Sequence, residues 1–203
     1  MTERVFPDWH NIYRDQPVET MPWYYDGLDP DLARDLEAID LHGGRILDLG
    51  TGPGTQAIEL AARGFTVTAT DLAAAAIEVA RARASTRGVT VDFRVDDVLA
   101  STLDGRFDTV IDRGCFHTLP PARRDAYVAM VADRLAPGGH LLLKCFSHLQ
   151  PGDVGPYRFT AAQIEAAFAT AFELTLVRET VYHGTLDPLP RALSCVLRRR
   201  GTA

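Results

Sequence analysis

Leu47-Asp48-Leu49-Gly50-Thr51-Gly52-Pro53-Gly54-Thr55 is the stretch that decides the fold. An apolar, β-prone run ends in a turn with three alternating glycines, and a helical pattern follows at once over 55–63. Such a strand-to-helix turn lies at the carboxyl edge of an open α/β sheet, where these sheets bind ligands. A dinucleotide turn has G-x-G-x-x-G spacing and receives pyrophosphate on its amides and helix dipole. The spacing here is G-x-G-x-G. Pro53 removes one amide donor, and Asp48 places a carboxylate where it would repel phosphate. The turn therefore suits a cationic, phosphate-free ligand that comes close to glycine backbone.

Working outward, short β-rich runs at 45–49, 65–70, 89–95, 107–112 and 139–145 alternate with helical patterns at 55–63, 72–87 and 121–136. That alternation predicts a parallel sheet with helices on both faces. A Gly- and Pro-rich loop at 147–159 precedes the capping box of Thr160 and Gln163, which opens a helix to about residue 169. Runs at 172–182 and 193–199 follow with no room for a crossover helix, so they pair antiparallel. The expected fold is α/β: a doubly wound, mostly parallel seven-stranded sheet closed by an antiparallel C-terminal hairpin. Residues 1–203 read as one domain, with 41–199 as the core and 1–40 as a helical lid carrying Trp9, Tyr13, Trp23, Tyr24 and Tyr25.

Composition narrows the function classes. Apolar residues make up 46% and charged residues 24%, as in ordinary globular domains, and no apolar run reaches a membrane-spanning length. The net charge of −6 opposes a phosphate backbone, and the dense basic run Arg198-Arg199-Arg200 reads as a solvated end, so no nucleic-acid partner is expected. The N-terminus lacks an apolar signal core, and the three cysteines show no zinc-type spacing. A cytoplasmic protein without a metal site is the expectation; oligomeric state is not legible.

The second strand ends at Asp71, placed to accept ribose hydroxyls, and the third ends in Val95-Asp96-Asp97-Val98, where a carboxylate can accept an adenine amino group. Each acid taken alone also suits a helix N-cap. Three acids at three successive strand ends, joined to the glycine turn, fit S-adenosylmethionine. Within the turn, Gly50, Thr51, Gly52 and Gly54 are the candidate cofactor-binding residues, with Asp48 serving the ammonium end. On these motifs the chain resembles the class I, seven-stranded S-adenosylmethionine-dependent methyltransferases over about residues 41–199. The resemblance implies cofactor contacts at Asp48, Gly50, Gly52, Asp71, Leu72, Asp97 and Val98. Asp96 departs from the glycine that many members carry there.

The fourth strand delivers Asp112-Arg113-Gly114-Cys115-Phe116-His117 to the methyl end of the site. This differs from the Asn/Asp-Pro-Pro-Tyr type of base-amine methyltransferases. The Asp-Arg-Gly segment, with Pro22-Trp23 upstream, resembles the thiopurine, thiol, halide and tellurite branch. Arg113, His117 and Asp112 are the candidate catalytic residues. A guanidinium favours an anionic acceptor such as a thiolate, and a histidine can serve as general base. An ion pair of Arg113 with Asp112, Asp108 or a lid acid, and a core role for His117, are the structural alternatives. Trp23, Tyr24, Cys115 and Tyr157 are the candidate substrate contacts, Cys115 reading equally as packing. The expectation is methyl transfer to a small-molecule acceptor, first a thiol or other soft nucleophile. O- or N-methylation of a small metabolite and non-catalytic cofactor binding are the alternatives.

Overall fold

The structure, a computed structural model, describes Arg4 and residues 6–201. Its strands are β1 (Arg45–Leu49), β2 (Thr66–Asp71), β3 (Asp92–Val95), β4 (Phe107–Arg113), β5 (Leu135–Ser147), β6 (Arg158–Phe159), β7 (Phe172–Val181) and β8 (Arg191–Arg199). The helices are α1 (Trp9–Asp15), α2 (Pro30–Ala38), α3 (Thr55–Ala62), α4 (Ala74–Arg87), α5 (Pro121–Arg134) and α6 (Ala161–Phe168). The sheet order is β3-β2-β1-β4-β5-β8-β7. Strands β3 to β5 are parallel, and β8 is antiparallel to both of its neighbours. The expected seven-stranded sheet with a closing hairpin is thus present.

Two local differences have plain causes. Helix α5 ends at Arg134, and β5 begins at once with Leu135 paired to Phe107, because Pro137 and Gly138 ahead cannot continue a helix. The loop at 147–159 is not wholly irregular either, since its last two residues form β6, parallel to the end of β5.

Alternation along the strands creates two cores. Leu47, Leu49, Val110, Leu141, Leu143 and Cys195 face one, under α5 and α6. Ile46, Ile111, Leu142 and Val196 face the other, under α2, α3 and α4. On this second face the next positions toward the carboxyl edge turn polar: Asp48 after Ile46, Arg113 after Ile111, Lys144 after Leu142 and Ser194 beside Val196. Arg113, Lys144 and Ser194 are register partners across β4, β5 and β8. An apolar floor therefore ends in a buried row of charge.

The residues before β1 cover this edge. Asp29 caps α2 and is followed by Pro30 at its first position, the preferred start for a helix. Tyr13, Val18 and Met21 pack on Ala73, Ala75 and Ala76 at the start of α4, with Trp23 and Tyr24 beside them.

Candidate active site

At the β1 turn, Gly50, Gly52 and Gly54 have φ of 64, 54 and 77°, the left-handed region in which a side chain is strained. Thr51 N–H donates to the carbonyl of Thr70 at 2.8 Å, and Gly52 N–H donates to Asp71 Oδ2 at 2.8 Å. Ala73 N–H donates to the other Asp71 oxygen at 2.9 Å. Asp71 therefore joins the ends of β1 and β2, and burial pushes its carboxyl above the usual range. Asp48 is buried and accepts from Thr51 Oγ1 at 2.6 Å. Burial, with Asp112 and Asp71 nearby, raises its pKa to about 7.

Beyond β2, Leu72 is 60% exposed. Asp97 Oδ1 accepts from Leu99 N–H at 2.9 Å, while Asp96 Oδ1 turns to the N–H and hydroxyl of Thr102. Val98 packs against the first core.

The acceptor-side candidates hold a different arrangement from the one anticipated. Asp112 is buried and accepts from the N–H groups of Gly114, Cys115 and Phe116 and from the Tyr127 hydroxyl at 2.6–2.9 Å. Both of its oxygens are occupied, so it shapes the turn rather than touching a substrate. His117 Nδ1 accepts from Phe146 N–H at 3.1 Å. Burial, with Arg113 nearby, lowers its pKa to about 3, so the ring is neutral with its proton on Nε2. The lone pair of that tautomer, on Nδ1, is taken by the Phe146 N–H. The Cys115 thiol is pushed well up by burial and by Asp112, and its side chain packs against the first core. Tyr157, expected to close over a substrate, lies in the first core with Arg124 stacked 4.8 Å from its ring centre.

Arg113 forms the ion pair with a lid acid that was its structural alternative. Its Nε donates to Asp29 Oδ2 at 2.8 Å and its Nη1 to the Trp23 carbonyl at 3.0 Å, while Nη2 donates to the His183 carbonyl. Its guanidinium also lies 4.6 Å from the Tyr182 ring centre. Such a group clasps the N-terminal segment to the β7–β8 loop and has a carboxylate counter-ion of its own. Of the two readings of Arg113, this geometry is that of the ion pair.

Lys144 and Asp29 went unremarked in the sequence, although a lysine inside Leu141-Leu142-Leu143-Lys144-Cys145-Phe146 is itself a signal of a buried partner. Lys144 Nζ donates to Asp29 and Asp31 at 2.7–2.8 Å and to His183 Nδ1 at 3.1 Å. Burial would raise the Asp29 carboxyl, but Lys144 and Arg113 hold it at about 2. Asp29, Asp31 and His183 converge as a cation site would, and the ammonium of Lys144 stands among them.

These elements enclose one cleft. Its floor is Asp48 and the Gly50–Pro53 turn, and its roof is Tyr13, Trp23, Tyr24 and Tyr25. Trp23 Nε1 donates to the Tyr13 hydroxyl at 2.9 Å, and that hydroxyl would lie 2.6 Å from a Cβ placed on Gly52.

Residues 46–139 match the family model described as a methyltransferase domain. Over 165 residues, 77% of this chain and 72% of the other, the sequence is 34% identical to the 2-heptyl-1-hydroxyquinolin-4(1H)-one methyltransferase of Mycobacteroides abscessus. The chain belongs to the class I S-adenosylmethionine-dependent methyltransferases. This methyltransferase is also 39% identical over 165 residues to the ubiquinone biosynthesis O-methyltransferase of Xanthomonas euvesicatoria, covering 80% of this chain and 64% of that one. A solved structure concerned with converting a disulfide bond into a thioacetal group during echinomycin biosynthesis superposes with a TM-score of 0.83 and 28% identity, over 96% of this chain and 93% of that one. The N-methyltransferase NodS of Bradyrhizobium japonicum, in complex with S-adenosylhomocysteine, shares the fold at a TM-score of 0.70 and 18% identity, over 95% of this chain and 99% of that one.

S-adenosylmethionine is the methyl donor of this family, and the residues present fit it. The cradle has glycine where a Cβ would collide, and buried Asp48 lines it, while the one lining cation, Arg113, is paired with Asp29.

Proposed function

We propose that this methyltransferase transfers a methyl group to a hydroxyl or N-hydroxyl oxygen, or to a ring nitrogen, of an aromatic small molecule. The observation that carries this reading is the aromatic roof facing the glycine turn across one cleft, with Arg113 committed to Asp29 and two carbonyls. Flat aromatic walls favour a flat aromatic guest. The hydroxyquinolone methyltransferase at 34% identity supports the same acceptor class.

S-adenosylmethionine, when bound, supplies an electrophilic methyl on sulfur. In this reading Asp48 faces its ammonium end, Gly50, Thr51, Gly52 and Gly54 lie along its backbone-proximal side, Asp71 accepts the ribose hydroxyls, and Leu72, Asp97 and Val98 border the adenine. Trp23 and Tyr24 flank the acceptor and exclude water. Asp112 fixes the turn that carries Cys115 beside Gly50. Arg113 and His117 act by position, the one holding the roof and the other bracing β5. The protein's main contribution is alignment and desolvation of the acceptor.

A sulfur acceptor is the second reading. It draws on the 0.83 TM-score likeness to the structure concerned with disulfide-to-thioacetal conversion. A screen of phenols, N-hydroxyquinolones, ring amines and thiols, read by S-adenosylhomocysteine release, separates the two. Turnover is expected on the aromatic hydroxyl or ring-nitrogen compounds. Turnover confined to thiols would establish the second reading, and cofactor binding with no turnover would make the protein a non-catalytic binder.

A further inference from the structure

Strand β8 is antiparallel to both β5 and β7, so β7 runs parallel to β5. Its carboxyl end therefore opens on the same edge as the β1 and β4 turns. The residues that follow it are Tyr182 and His183. Tyr182 is buried and donates through its hydroxyl to the Arg113 carbonyl at 2.7 Å. His183 keeps 21% of its side chain exposed, and its ring leans on Tyr25, a roof residue, with centroids 5.4 Å apart.

The two nitrogens of His183 meet different surroundings. Nδ1 turns inward and receives Lys144 Nζ at 3.1 Å, while that ammonium is itself held by Asp29 and Asp31. An ammonium has no lone pair, so Nδ1 must be the acceptor and the ring proton resides on Nε2. Burial, with Lys144 nearby, also lowers the tendency of the ring to take a second proton. Nε2 lies on the far side of the ring from Lys144 and makes no hydrogen bond among the described residues. The buried charge row thus holds a neutral imidazole in one tautomer and leaves Nε2 as the single donor of a part-exposed ring that packs on Tyr25 of the roof.

We propose that His183 is a specificity-determining residue that donates its Nε2–H to a carbonyl or oxyanion oxygen of the methyl acceptor. This rests on the aromatic-acceptor reading above. A donor fixed in a partly desolvated site discriminates by leaving itself unpaired when the guest lacks the matching oxygen.

Two substitutions divide the functions of the ring. In His183→Asn the amide oxygen stands near the Nδ1 position and still accepts from Lys144, but nothing reaches the Nε2 position. In His183→Gln the amide N–H reaches toward the Nε2 position, while the contact to Lys144 is lost. The probes are 1-hydroxyquinolin-4(1H)-one, which carries a carbonyl, and 1-naphthol, which has similar bulk and none. For the quinolone, His183→Asn is expected to raise KM, and the dissociation constant measured with S-adenosylhomocysteine present, by roughly tenfold. His183→Gln is expected to stay within about threefold of wild type. The constants for 1-naphthol and S-adenosylmethionine should hardly move. A purely structural role predicts the reverse order, with Asn tolerated and Gln impaired, and that result overturns the inference, as does an equal loss on both probes. If wild-type protein binds the quinolone without methylating it, the aromatic-acceptor activity fails. The binding constants of the two variants then still decide for or against His183, and no measurable quinolone binding by any of the three proteins counts against it.

Discussion

At the scale of single residues, Asp48 carries the sharpest consequence. Its pKa of about 7 lies above the ordinary value because the carboxyl is buried near Asp112 and Asp71. Between about pH 3.8 and 7 the ligand-free fold holds a proton there that the unfolded chain has released. The stabilisation from that proton is therefore complete below about pH 3.8 and is lost as pH rises through about 7. A cationic ligand has the opposite preference, because it stabilises the carboxylate. S-adenosylmethionine binding, followed by calorimetry at constant ionic strength, should tighten as pH rises toward about 7, by at most roughly tenfold per unit, and then level off. Asp48→Asn should bind weakly with no such slope, and a slope that survives the substitution would assign the proton elsewhere. That the glycine turn and its acids come together was legible in the sequence because their geometry is local. Asp48, Gly50, Gly52 and Asp71 sit within 24 residues at strand ends, and strand-end position alone specifies where they meet. Arg113 was legible as a charge near the methyl end that a lid acid could pair, but not which acid. Its true partners, Asp29 and the carbonyls of Trp23 and His183, are 70–90 residues away, and no period or spacing relates them.

At the scale of elements, the β7–β8 loop holds the aromatic roof. Thr185 donates its N–H to the Pro22 carbonyl at 3.2 Å and its hydroxyl to the Met21 carbonyl at 3.1 Å. Gly184 lies against Pro22 so closely that a Cβ there would collide with the Pro22 carbonyl oxygen. Gly184→Ala must displace backbone rather than a flexible side-chain end, at a cost of about 1–3 kcal/mol. The expected result is a lowered thermal midpoint together with faster amide exchange at Met21 and Tyr24, while amides in β1 and β4 stay protected. Uniform loss of protection would mean that roof and sheet open as one unit. Helix and strand existence was readable from alternation, whereas this loop looked like a plain hairpin connection, because a glycine chosen for close approach resembles one chosen for a turn.

At the scale of the whole molecule, a buried charge row ties the N-terminal helices to the far half of the sheet. Lys144 joins β5 to Asp29 and Asp31, and Asp35 accepts from Ser194 Oγ at 2.6 Å and pairs with Arg178. Removing Lys144 leaves two buried acids short of their shared cation, Asp29 with Arg113 alone and Asp31 with the exposed Arg34. Lys144→Met is therefore expected to lower unfolding stability in urea by about 3–5 kcal/mol. Replacing Asp29 and Asp31 by Asn in the same protein should recover part of the loss, since the stranded charge is then gone. A decrease under about 1 kcal/mol for Lys144→Met would show that water reaches the acids.

The pairing of Asp29 with Lys144 spans 115 residues, and that of Asp35 with Ser194 spans 159. In chain order, α2 is made before β4, β5 and β7, the strands that carry the cations for its acids. Until β5 and β7 are in place, Asp29 has only Arg113 of β4 to meet, Asp31 only Arg34 of its own helix, and Asp35 neither Arg178 nor Ser194. The β1 turn and its α/β neighbours can form while the chain is still growing. The roof cannot, because the β7–β8 loop holds it through Thr185, so the glycine turn takes shape first and the covered cleft only once β7 and β8 have joined the sheet.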